Sequence, residues 1–445
     1  MKPYPAYKDS GVEWLGEVPE GWEVVPVKAR LSVVGGTTPK SDQPAFWDGD
    51  IPWITPADLS SLPDRFIFET GRQITQLGLD SCGTTIVPAG SIVLSTRAPI
   101  GSIAVTTVPS CINQGCKLLV PRQGSDADYY YYALLSAREQ LNVLGRGSTF
   151  LELSGDQLAA FRVPLPPLPE QQAIAAFLDR ETAKIDGLIE EQRRLIALLA
   201  EKRQATISQA VTRGLNPDAS LKPSGVDWLG DVPEGWEVVP LKHLSEKIGS
   251  GKTPSGGAEV YQSSGVMFLR SQNVYETGLR LDDVVFISDE IDREMSGTRV
   301  KPGDILLNIT GASLGRTSIV PPDFEPANVN QHVCIIRIAR ENLAPFVSLF
   351  MQSAAAKGQI FATLNGAARD GLNFEQIGSF GVPIPPDDQW DAIFQQVNAV
   401  ISQLGTLTET ATTAITLLQE RRAALISAAV TGKIDVRDLA PAKAA

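Results

Sequence analysis

The chain contains one long segment twice. Residues 11–27 read GVEWLGEVPEGWEVVPV, and 214 positions later residues 225–241 read GVDWLGDVPEGWEVVPL. Shorter matches follow both copies in the same order: 35–39 with 250–254, Asn113-Gln114 with Asn330-Gln331, and 163–167 with 382–386. Solenoids repeat every ~20–50 residues, so this period is too long for one. We therefore expect two homologous halves with two similar working surfaces.

Composition is that of a soluble protein large enough for more than one core. The 445 residues exceed the ~250–300 at which single cores stop growing, and 43% of them are hydrophobic. No apolar run reaches the ~18 residues that span a membrane, so we expect a cytoplasmic protein without a membrane partner. Four scattered cysteines and two histidines predict neither a metal site nor a histidine-based triad.

The net charge of −12 argues against unaided, tight binding to nucleic acid. The acidic excess is small in the parts expected to be globular. Residues 28–165 hold 11 basic and 12 acidic side chains, and residues 242–384 hold 13 and 15. The net charge therefore does not exclude a protein that recognises DNA as part of a larger complex.

Each half has strand patterns interrupted by short helical stretches. β-Branched runs bounded by glycine and proline predict strands at 91–96, 103–106 and 116–120, and again at 304–310, 317–320 and 333–338. Helical stretches lie near 127–144 and 343–357. Proline-rich segments at 164–169 and 383–386 end each half, because proline continues neither helix nor sheet. Each domain is therefore mixed α/β.

A long helical pattern follows each proline-rich segment, and no proline interrupts it. Apolar residues recur at threes and fours, as helices require, at Ile174, Leu178, Ile185, Leu188, Leu195, Leu199 and Ile207, and at Ile393, Val397, Val400, Ile401, Leu404, Leu407, Ile415, Leu418, Leu425 and Ile426. Each helix is roughly 65 Å long at ~1.5 Å per residue. Such stripes must be buried, and each helix is the other's expected partner.

Connectivity fixes the direction of the two helices. The second domain is joined to the end of helix 1 through 215–241 and to the start of helix 2 through 383–386, so the helices must run antiparallel. Segment 11–27 has no helix before it, and we expect it to complete the end of helix 2 near 425–435. The predicted fold is α+β: two homologous mixed α/β domains held apart by two long antiparallel helices, with a pseudo-two-fold, circularly arranged repeat.

The predicted segments follow from these limits. They are an N-terminal segment 1–27, domain 1 at 28–169, helix 1 at 170–214, a repeat of the N-terminal segment at 215–241, domain 2 at 242–387, helix 2 at 388–432 and a tail at 433–445.

The chain resembles the specificity subunits of type I restriction-modification systems over essentially its whole length. The resemblance rests on the opening DSGVEWLGEVPEGWEV, the exit signature PLPPLPEQQ at 164–172, and ITGASLG at 309–315 followed by Asn330-Gln331. The second copy departs from the exit signature, with Asp388-Gln389-Trp390 in place of Pro169-Glu170-Gln171. The first copy has STRAPIG at 95–101 in place of ITGASLG.

The resemblance implies a non-catalytic DNA-binding subunit with two target-recognition domains. Each domain would read one half of a split sequence in double-stranded DNA. The conserved helices would set the gap and dock adenine methyltransferase (modification) subunits and a restriction/translocase subunit. No cofactor is expected in this chain, whereas S-adenosylmethionine, ATP and Mg are expected on the partner subunits. The alternative function is a duplicated coiled-coil protein-interaction scaffold without a DNA-reading role.

Polar side chains in glycine-punctuated loops are the candidates for contacting DNA, since Arg and Lys read guanine and Asn and Gln read adenine. They are Thr37, Thr38, Lys40, Arg97, Arg146, Ser148 and Thr149 in domain 1, and Lys252, Arg270, Gln272, Asn273, Arg316, Asn365 and Arg369 in domain 2. Candidates for docking a partner lie off the main stripe: Phe177, Ile189, Ile196, Trp390 and Phe394. The shared Asn-Gln pairs are assigned to the domain frame, because different half-sites do not need the same reader.

Three enzyme-like patterns are incomplete. Gly249–Thr253 lacks the first glycine of a phosphate-binding loop, with Glu246 in its place. Pro321-Pro-Asp-Phe324 lacks the polar residue with which adenine methyltransferases hold a flipped base. The acidic pairs Asp48/Asp50 and Asp282/Asp283 do not recur between the halves. We therefore expect no catalysis and no metal.

Overall fold

The computed structural model describes residues 2–62, 64–97, 99–145, 152–364 and 371–439. The chain divides into two compact units: Met1–Gln192 with Thr413–Ala445 form unit 1, and Arg193–Thr412 form unit 2. Both long helices belong to both units, because the division falls near the middle of each. None of the helices in the described residues is long and apolar enough to cross a lipid bilayer.

Unit 1 is built from short strands and helices that precede the first long helix. Its strands are β1 (Tyr7–Asp9), β2 (Glu17–Pro19), β3 (Glu23–Pro26), β4 (Leu31–Gly35), β5 (Trp47–Ile54), β6 (Phe66–Ile67), β7 (Gln73–Ile74), β8 (Ile92–Ser95), β9 (Ile103–Thr106), β10 (Cys111–Ile112), β11 (Cys116–Pro121) and β12 (Arg162–Leu165). Its helices are α1 (Pro56–Ser60), α2 (Gln76–Asp80), α3 (Ala127–Ser136), α4 (Arg138–Gly145), α5 (Gly155–Ala160) and the first part of α6 (Leu168–Arg213).

Unit 2 repeats most of this order. Its strands are β13 (Leu221–Pro223), β14 (Asp231–Pro233), β15 (Glu237–Pro240), β16 (Ser245–Ser250), β17 (Val266–Leu269), β18 (Val274–Tyr275), β19 (Gly278–Leu279), β20 (Val285–Ile287), β21 (Ile305–Asn308), β22 (Thr317–Ile319), β23 (Ala327–Val329), β24 (Val333–Ile338) and β25 (Gly381–Ile384). Its helices are α7 (Leu241–Leu244), α8 (Asp289–Glu294), α9 (Ala344–Gln352), α10 (Ala354–Leu364), α11 (Phe374–Gly378) and the first part of α12 (Trp390–Val430).

The two domains have equivalent sheets. In domain 1 the main sheet has the order β4-β11-β8-β9-β6 and a smaller one has β10-β5-β7; in domain 2 the orders are β16-β24-β21-β22 and β20-β17-β23. Strands β8 and β21 are buried along their whole length. The strongest β-branched runs of the sequence therefore form the centre of each main sheet.

A two-stranded ladder joins the beginning and end of each domain. Strand β3 pairs antiparallel with β12, which places Val25 opposite Val163, and β15 pairs with β25 in the same way, with Val239 opposite Val382. These are the Trp-rich repeat and the proline-rich exit recognised in the sequence. Each long helix consequently starts beside the Trp-rich segment of its own domain.

The far end of the other helix completes each core. In unit 1, Trp22 shares a hydrophobic cluster with Ala429 and Val430 of α12. In unit 2, Trp236 shares one with Val211 of α6. The structure thus confirms the predicted fold class, including the antiparallel helices and the circular arrangement of the repeat.

Both chain ends are tied to unit 1. The hydroxyl of Tyr4 donates to Glu170 at 2.5 Å, at the start of α6, and the Tyr7 hydroxyl donates to the carbonyl oxygen of Gly432 at 3.1 Å. Lys2 also forms a β-bridge with Asp435. Segment 1–27 and the tail after α12 therefore close the ring of contacts that the repeat predicts.

Each long helix ends at a glycine that packs against a tryptophan. Gly214 and Gly432 have φ angles of 75° and 74°, the left-handed conformation that terminates helices. A Cβ on Gly432 would lie 2.3 Å from Pro19 and 3.3 Å from Trp22, and one on Gly214 would lie 3.1 Å from Trp236. The glycines therefore end the helices at points where a side chain would crowd the Trp-rich segments.

The altered exit signature of the second copy keeps the same hydrogen bond. Gln171 is fully buried and its Nε2 donates to the carbonyl oxygen of Pro166 at 2.9 Å. Trp390 occupies the matching position, five residues after Pro385, and its Nε1 donates to that carbonyl oxygen at 2.6 Å. Two different side chains thus fix the same turn into a long helix.

The predicted apolar stripe is wrong in the middle of each long helix, because some of its leucines are exposed there. Leu188 and Leu195 are 46% and 41% exposed and Leu407 is 50% exposed, whereas Ile189 is buried. The sheltered positions on α6 recur about every 3.5 residues, as in coiled coils: Leu178, Thr182, Ile185, Ile189, Gln192, Ile196, Leu199, Arg203 and Ile207. Three of these positions hold polar residues. A pattern built from apolar residues alone therefore includes neighbouring leucines, Leu188 and Leu195, that are exposed.

Replacing Trp22 with alanine should destabilise unit 1 selectively. Removing a buried tryptophan costs about 3–5 kcal/mol, and Trp22 belongs to the unit 1 cluster that includes the end of α12. Hydrogen exchange in mild denaturant should show faster exchange in peptides from 425–436, with peptides from 305–338 unchanged. The exposed Glu20 provides the control, as Glu20→Ala should leave both sets unchanged. Equal protection in Trp22→Ala and wild type would contradict the circular packing.

Candidate nucleic-acid interface

A tight contact holds the first loop of each domain against an Asn-Gln turn. A Cβ on Gly36 would lie 2.0 Å from the carbonyl oxygen of Ile112, and one on Gly251 would lie 1.7 Å from that of Val329. Only glycine fits at these distances, because any Cβ would overlap the backbone. The Gly-rich motif at 250–254 is therefore a close-packed turn.

Side chains lock the same contact in both copies. The Thr38 hydroxyl donates to Gln114 Oε1 at 2.5 Å in domain 1, and the Thr253 hydroxyl donates to Gln331 Oε1 in domain 2. Asn113 and Asn330 accept hydrogen bonds from backbone N–H groups two residues further on. The Asn-Gln pairs thus hold the loop frame in both domains.

Domain 2 carries an open groove of about 360 Å³ beside this turn. Its lining comes from three segments and includes several polar side chains: Ser271, Gln272, Tyr275, Thr310, Gly311, Ala312, Ser313, Arg316 and His332. Of the sequence candidates, Gln272 and Arg316 line the groove. The ITGASLG motif supplies Thr310 and Ser313, which the sequence analysis used for recognition only.

A chain of hydrogen bonds runs along one side of the groove. Thr253 donates to the amide oxygen of Gln331, whose Nε2 lies 3.0 Å from Nε2 of His332, and Nδ1 of His332 lies 2.6 Å from the hydroxyl oxygen of Thr310. If the amide donates to the ring, His332 Nδ1 carries the proton and donates to Thr310. These hydrogen bonds link the first loop to the ITGASLG loop and hold that side of the groove in place.

Two arginines lie on the ring of Tyr275. The guanidinium carbons of Arg280 and Arg316 are 3.9 and 4.8 Å from the ring centroid, distances at which a cation is attracted to an aromatic face. Among the described residues, neither arginine has a carboxylate within ion-pair distance. At and beside the groove, two positive charges therefore lie on one ring, and no carboxylate of the described residues pairs with either.

The hairpin β18–β19 that carries Tyr275 is anchored to α6 and α10 within unit 2. Glu276 pairs with Lys357 at 2.6 Å and with Arg203 at 3.7 Å, and Nη2 of Arg203 donates to the carbonyl oxygen of Glu276 at 2.8 Å. Burial lowers the pKa of Arg203, and the charge of Glu276 opposes that shift. This sheltered ion pair fixes the hairpin, and Tyr275 with it, to the long helix.

Domain 1 places its described candidates differently. Thr37, Thr38 and Lys40 lie on the first loop, and the backbone oxygens of Thr37 and Lys40 accept from the indole nitrogens of Trp53 and Trp47, each at 3.1 Å. Arg97 is exposed and pairs with Glu152 at 3.3 Å. Lys252 in domain 2 is exposed beside Thr253.

Two domain 2 candidates support the frame of the domain. Asn273 is fully buried, and its Nδ2 donates to the carbonyl oxygen of Arg280 and to Asp283. Its side chain is not accessible to DNA, which corrects the prediction for this residue. Arg270 donates to the backbone of Asp283 at 2.6 Å and is largely sheltered. The remaining candidates, Arg146, Ser148, Thr149, Asn365 and Arg369, lie outside the described residues.

The residues expected to dock a partner are mostly internal. Phe177, Ile189 and Trp390 are 2%, 6% and 3% exposed, and Phe177 and Trp390 belong to the cores of units 1 and 2. They offer no surface to a partner, which corrects those three predictions. Ile196 and Phe394 are half-buried and stay predictions. The exposed large apolar side chains of the long helices are Leu168, Leu188, Leu195, Leu198, Leu407 and Leu417.

Asp283 of the second acidic pair and the Pro-Pro segment take part in the frame of domain 2. Asp283 accepts hydrogen bonds from Gln272 and Asn273, and Phe324 packs against a hydrophobic cluster of domain 2. Within the described residues, no group of three His, Cys, Asp or Glu side chains is arranged to hold a metal ion.

The sequence matches the family described as "Type I restriction modification DNA specificity domain" at residues 19–196 and again at 233–418. It is similar to the type I restriction enzyme MjaIX specificity subunit of Methanocaldococcus jannaschii, with 28% identity over 96% of both chains. It is also similar to the type I restriction enzyme EcoBI specificity subunit of Escherichia coli, with 25% identity over 73% of this chain and 70% of that one.

A solved structure shows the same fold at lower identity. A chain from work described as the structural basis of complex assembly and conformational transition of the type I R-M system aligns with a TM-score of 0.65 at 16% identity. The alignment covers 94% of this chain and 99% of that chain.

Gly251→Ala should disrupt the frame of domain 2, because the new Cβ must displace the backbone of Val329. Overpacking of this kind costs about 1–3 kcal/mol or more. Gly249→Ala is the matched control, since its Cβ would have nothing nearer than Lys247 at 4.0 Å. Thermal unfolding should show a lower transition temperature for Gly251→Ala alone. Equal transition temperatures for the two variants would mean that the loop does not approach the turn as described.

Proposed function

Because the chain belongs to the family of type I restriction-modification DNA specificity proteins, we propose that it reads a split sequence in double-stranded DNA, one half with each domain. It docks adenine methyltransferase (modification) subunits and a restriction/translocase subunit. It performs no catalysis itself. S-adenosylmethionine, ATP and Mg bind to those partner subunits, and the assembly works in the cytoplasm.

The two domains share a frame but differ in the polar side chains beside it, and this difference is the main support for the proposal. The Gly36 and Gly251 contacts and the Thr-to-Gln hydrogen bonds recur in both. Beside them, Arg97 pairs with Glu152 in domain 1, whereas Arg316 rests on Tyr275 in domain 2. A constant frame with different exposed donors and acceptors suits two readers of different half-sites.

The acidic composition supports a reader that depends on its partners. A net charge of −12 gives the isolated chain little general attraction for the DNA backbone. Phosphate contacts supplied by methyltransferase subunits would provide that attraction, while the exposed polar groups of the two domains provide sequence preference. The alternative, a scaffold without a DNA-reading role, has no particular contact in its favour.

The proposal predicts specific DNA binding by the assembled complex only. The chain is co-expressed with an adenine methyltransferase (modification) subunit of a type I restriction-modification system, and the purified complex is titrated with a randomised duplex library over a series of salt concentrations. The logarithm of the association constant should fall linearly with the logarithm of the salt concentration, with a slope of about −0.9 for each phosphate contact. The selected duplexes should share a split motif. The methyltransferase subunit without this chain is the control and should select no motif. A complex that forms but selects no motif would favour the scaffold.

A further inference from the structure

The two arginines on Tyr275 form a charged site that no carboxylate of the described residues balances. Other arginines of domain 2 are paired with carboxylates: Arg270 lies 3.7 Å from Asp283, and Arg337 lies 2.7 Å from Asp304. Arg280 and Arg316 share one aromatic ring, so each charge lies close to the other. Two like charges without a carboxylate are unfavourable in an isolated protein. An electronegative ligand at this groove would relieve that repulsion.

The corresponding positions in domain 1 lack this site. A glycine with φ near 90° precedes each position: Gly101 precedes Ser102, and Gly315 precedes Arg316. The guanidinium group is therefore replaced by a hydroxyl in domain 1. The Tyr275 arginine pair of domain 2 therefore has no guanidinium counterpart at the Ser102 position of domain 1.

The two arginines differ in their place at the groove. Arg316 lines it and is half-buried, whereas Arg280 does not line it and is exposed. The aromatic ring restrains the guanidinium of Arg316, so less side-chain freedom is lost when it binds a ligand. A planar, restrained guanidinium is suited to a partner with two adjacent acceptors, and among base edges in the major groove that partner is guanine, through O6 and N7. Arg280, at the outside, is suited to a single phosphate oxygen.

We propose that Arg316 reads a guanine in the half-site recognised by domain 2, and that Arg280 contacts a neighbouring phosphate. The inference rests on the proposed function and adds one base identity and two residue roles to it. Tyr275 is the positioning residue, and the Glu276–Arg203 ion pair holds its hairpin to the long helix. Domain 1, with Ser102 at the matching place, does not read guanine in this way.

The test uses the complex with methyltransferase subunits and the randomised duplex library. The wild-type motif should contain a required guanine that Arg316→Ala no longer selects, with about a 5- to 150-fold loss of discrimination at that position and none elsewhere. Arg316→Met keeps an unbranched side chain but has no N–H donor for a base edge, and it should lose the same discrimination at that position. This variant covers the outcome in which Arg316→Ala fails to fold.

Arg280→Ala should weaken binding to all duplexes alike and lower the salt dependence by about one phosphate contact. Arg293→Ala is the matched control, because Arg293 is an exposed arginine of domain 2 that does not line the groove. It should leave the motif and the salt dependence unchanged.

Two outcomes overturn the inference and are distinguishable from failure of the proposed function. If the folded Arg316 variants select the same motif as wild type, the guanine assignment is wrong while DNA reading stands. If Arg280→Ala behaves as Arg293→Ala does, the phosphate assignment is wrong. A wild-type complex that selects no motif at all contradicts the proposed function, and the inference with it.

Discussion

The core of each unit is completed by the end of a helix that follows the other domain in the chain. Ile426, Ala429 and Val430 pack under the Trp22 segment of unit 1, and Ile207, Ala210 and Val211 pack under the Trp236 segment of unit 2. Apolar burial at ~25 cal/mol per Å² dominates the stability of such clusters. Neither domain can therefore keep its core without the helix contributed by the other repeat. This mutual dependence fixes the antiparallel direction of the helices and the closing of the chain ends on unit 1.

Within each unit, the domain frame is built from contacts that tolerate little change. The approach of Gly36 to Ile112 and of Gly251 to Val329 leaves no room for a side chain. Beside these contacts lie polar side chains that take no part in them, among them Arg316, which is half-buried and rests on the ring of Tyr275. Specificity can then change at exposed positions without loss of the fold. The sheltered anchors to the long helix, such as Glu276 with Arg203, keep those positions fixed.

Much of the fold could be predicted from the sequence, because its strongest signals are long-range. The repeat and the connectivity determine the circular arrangement, and the glycine- and proline-bounded runs predict β8, β11, β21 and β24. The sheltered positions of the long helices could not be predicted from the sequence. Leu188 and Ile189 are adjacent and equally apolar, and the polar residues Thr182 and Arg203 occupy sheltered positions. Burial of Phe177 and Trp390 was missed because both pack into the domain cores near the starts of the long helices. In the site, Arg316 and Gln272 were found by residue type, whereas Tyr275 and His332 are brought to the groove only by tertiary folding.

If the two domains read DNA separately, exchanging one of them should change only its own half of the recognised sequence. Residues 242–384, which lie between the Trp-rich repeat and the proline-rich exit, are replaced by the matching part of a relative, and methylated adenines are mapped across the genome of cells carrying the assembled complex. Because the two domains have separate frames and separate exposed residues, one half of the methylated sequence should change and the other should stay the same. A change in both halves, or in neither, in a complex that still methylates DNA would contradict the claim that each repeat is a separate reader.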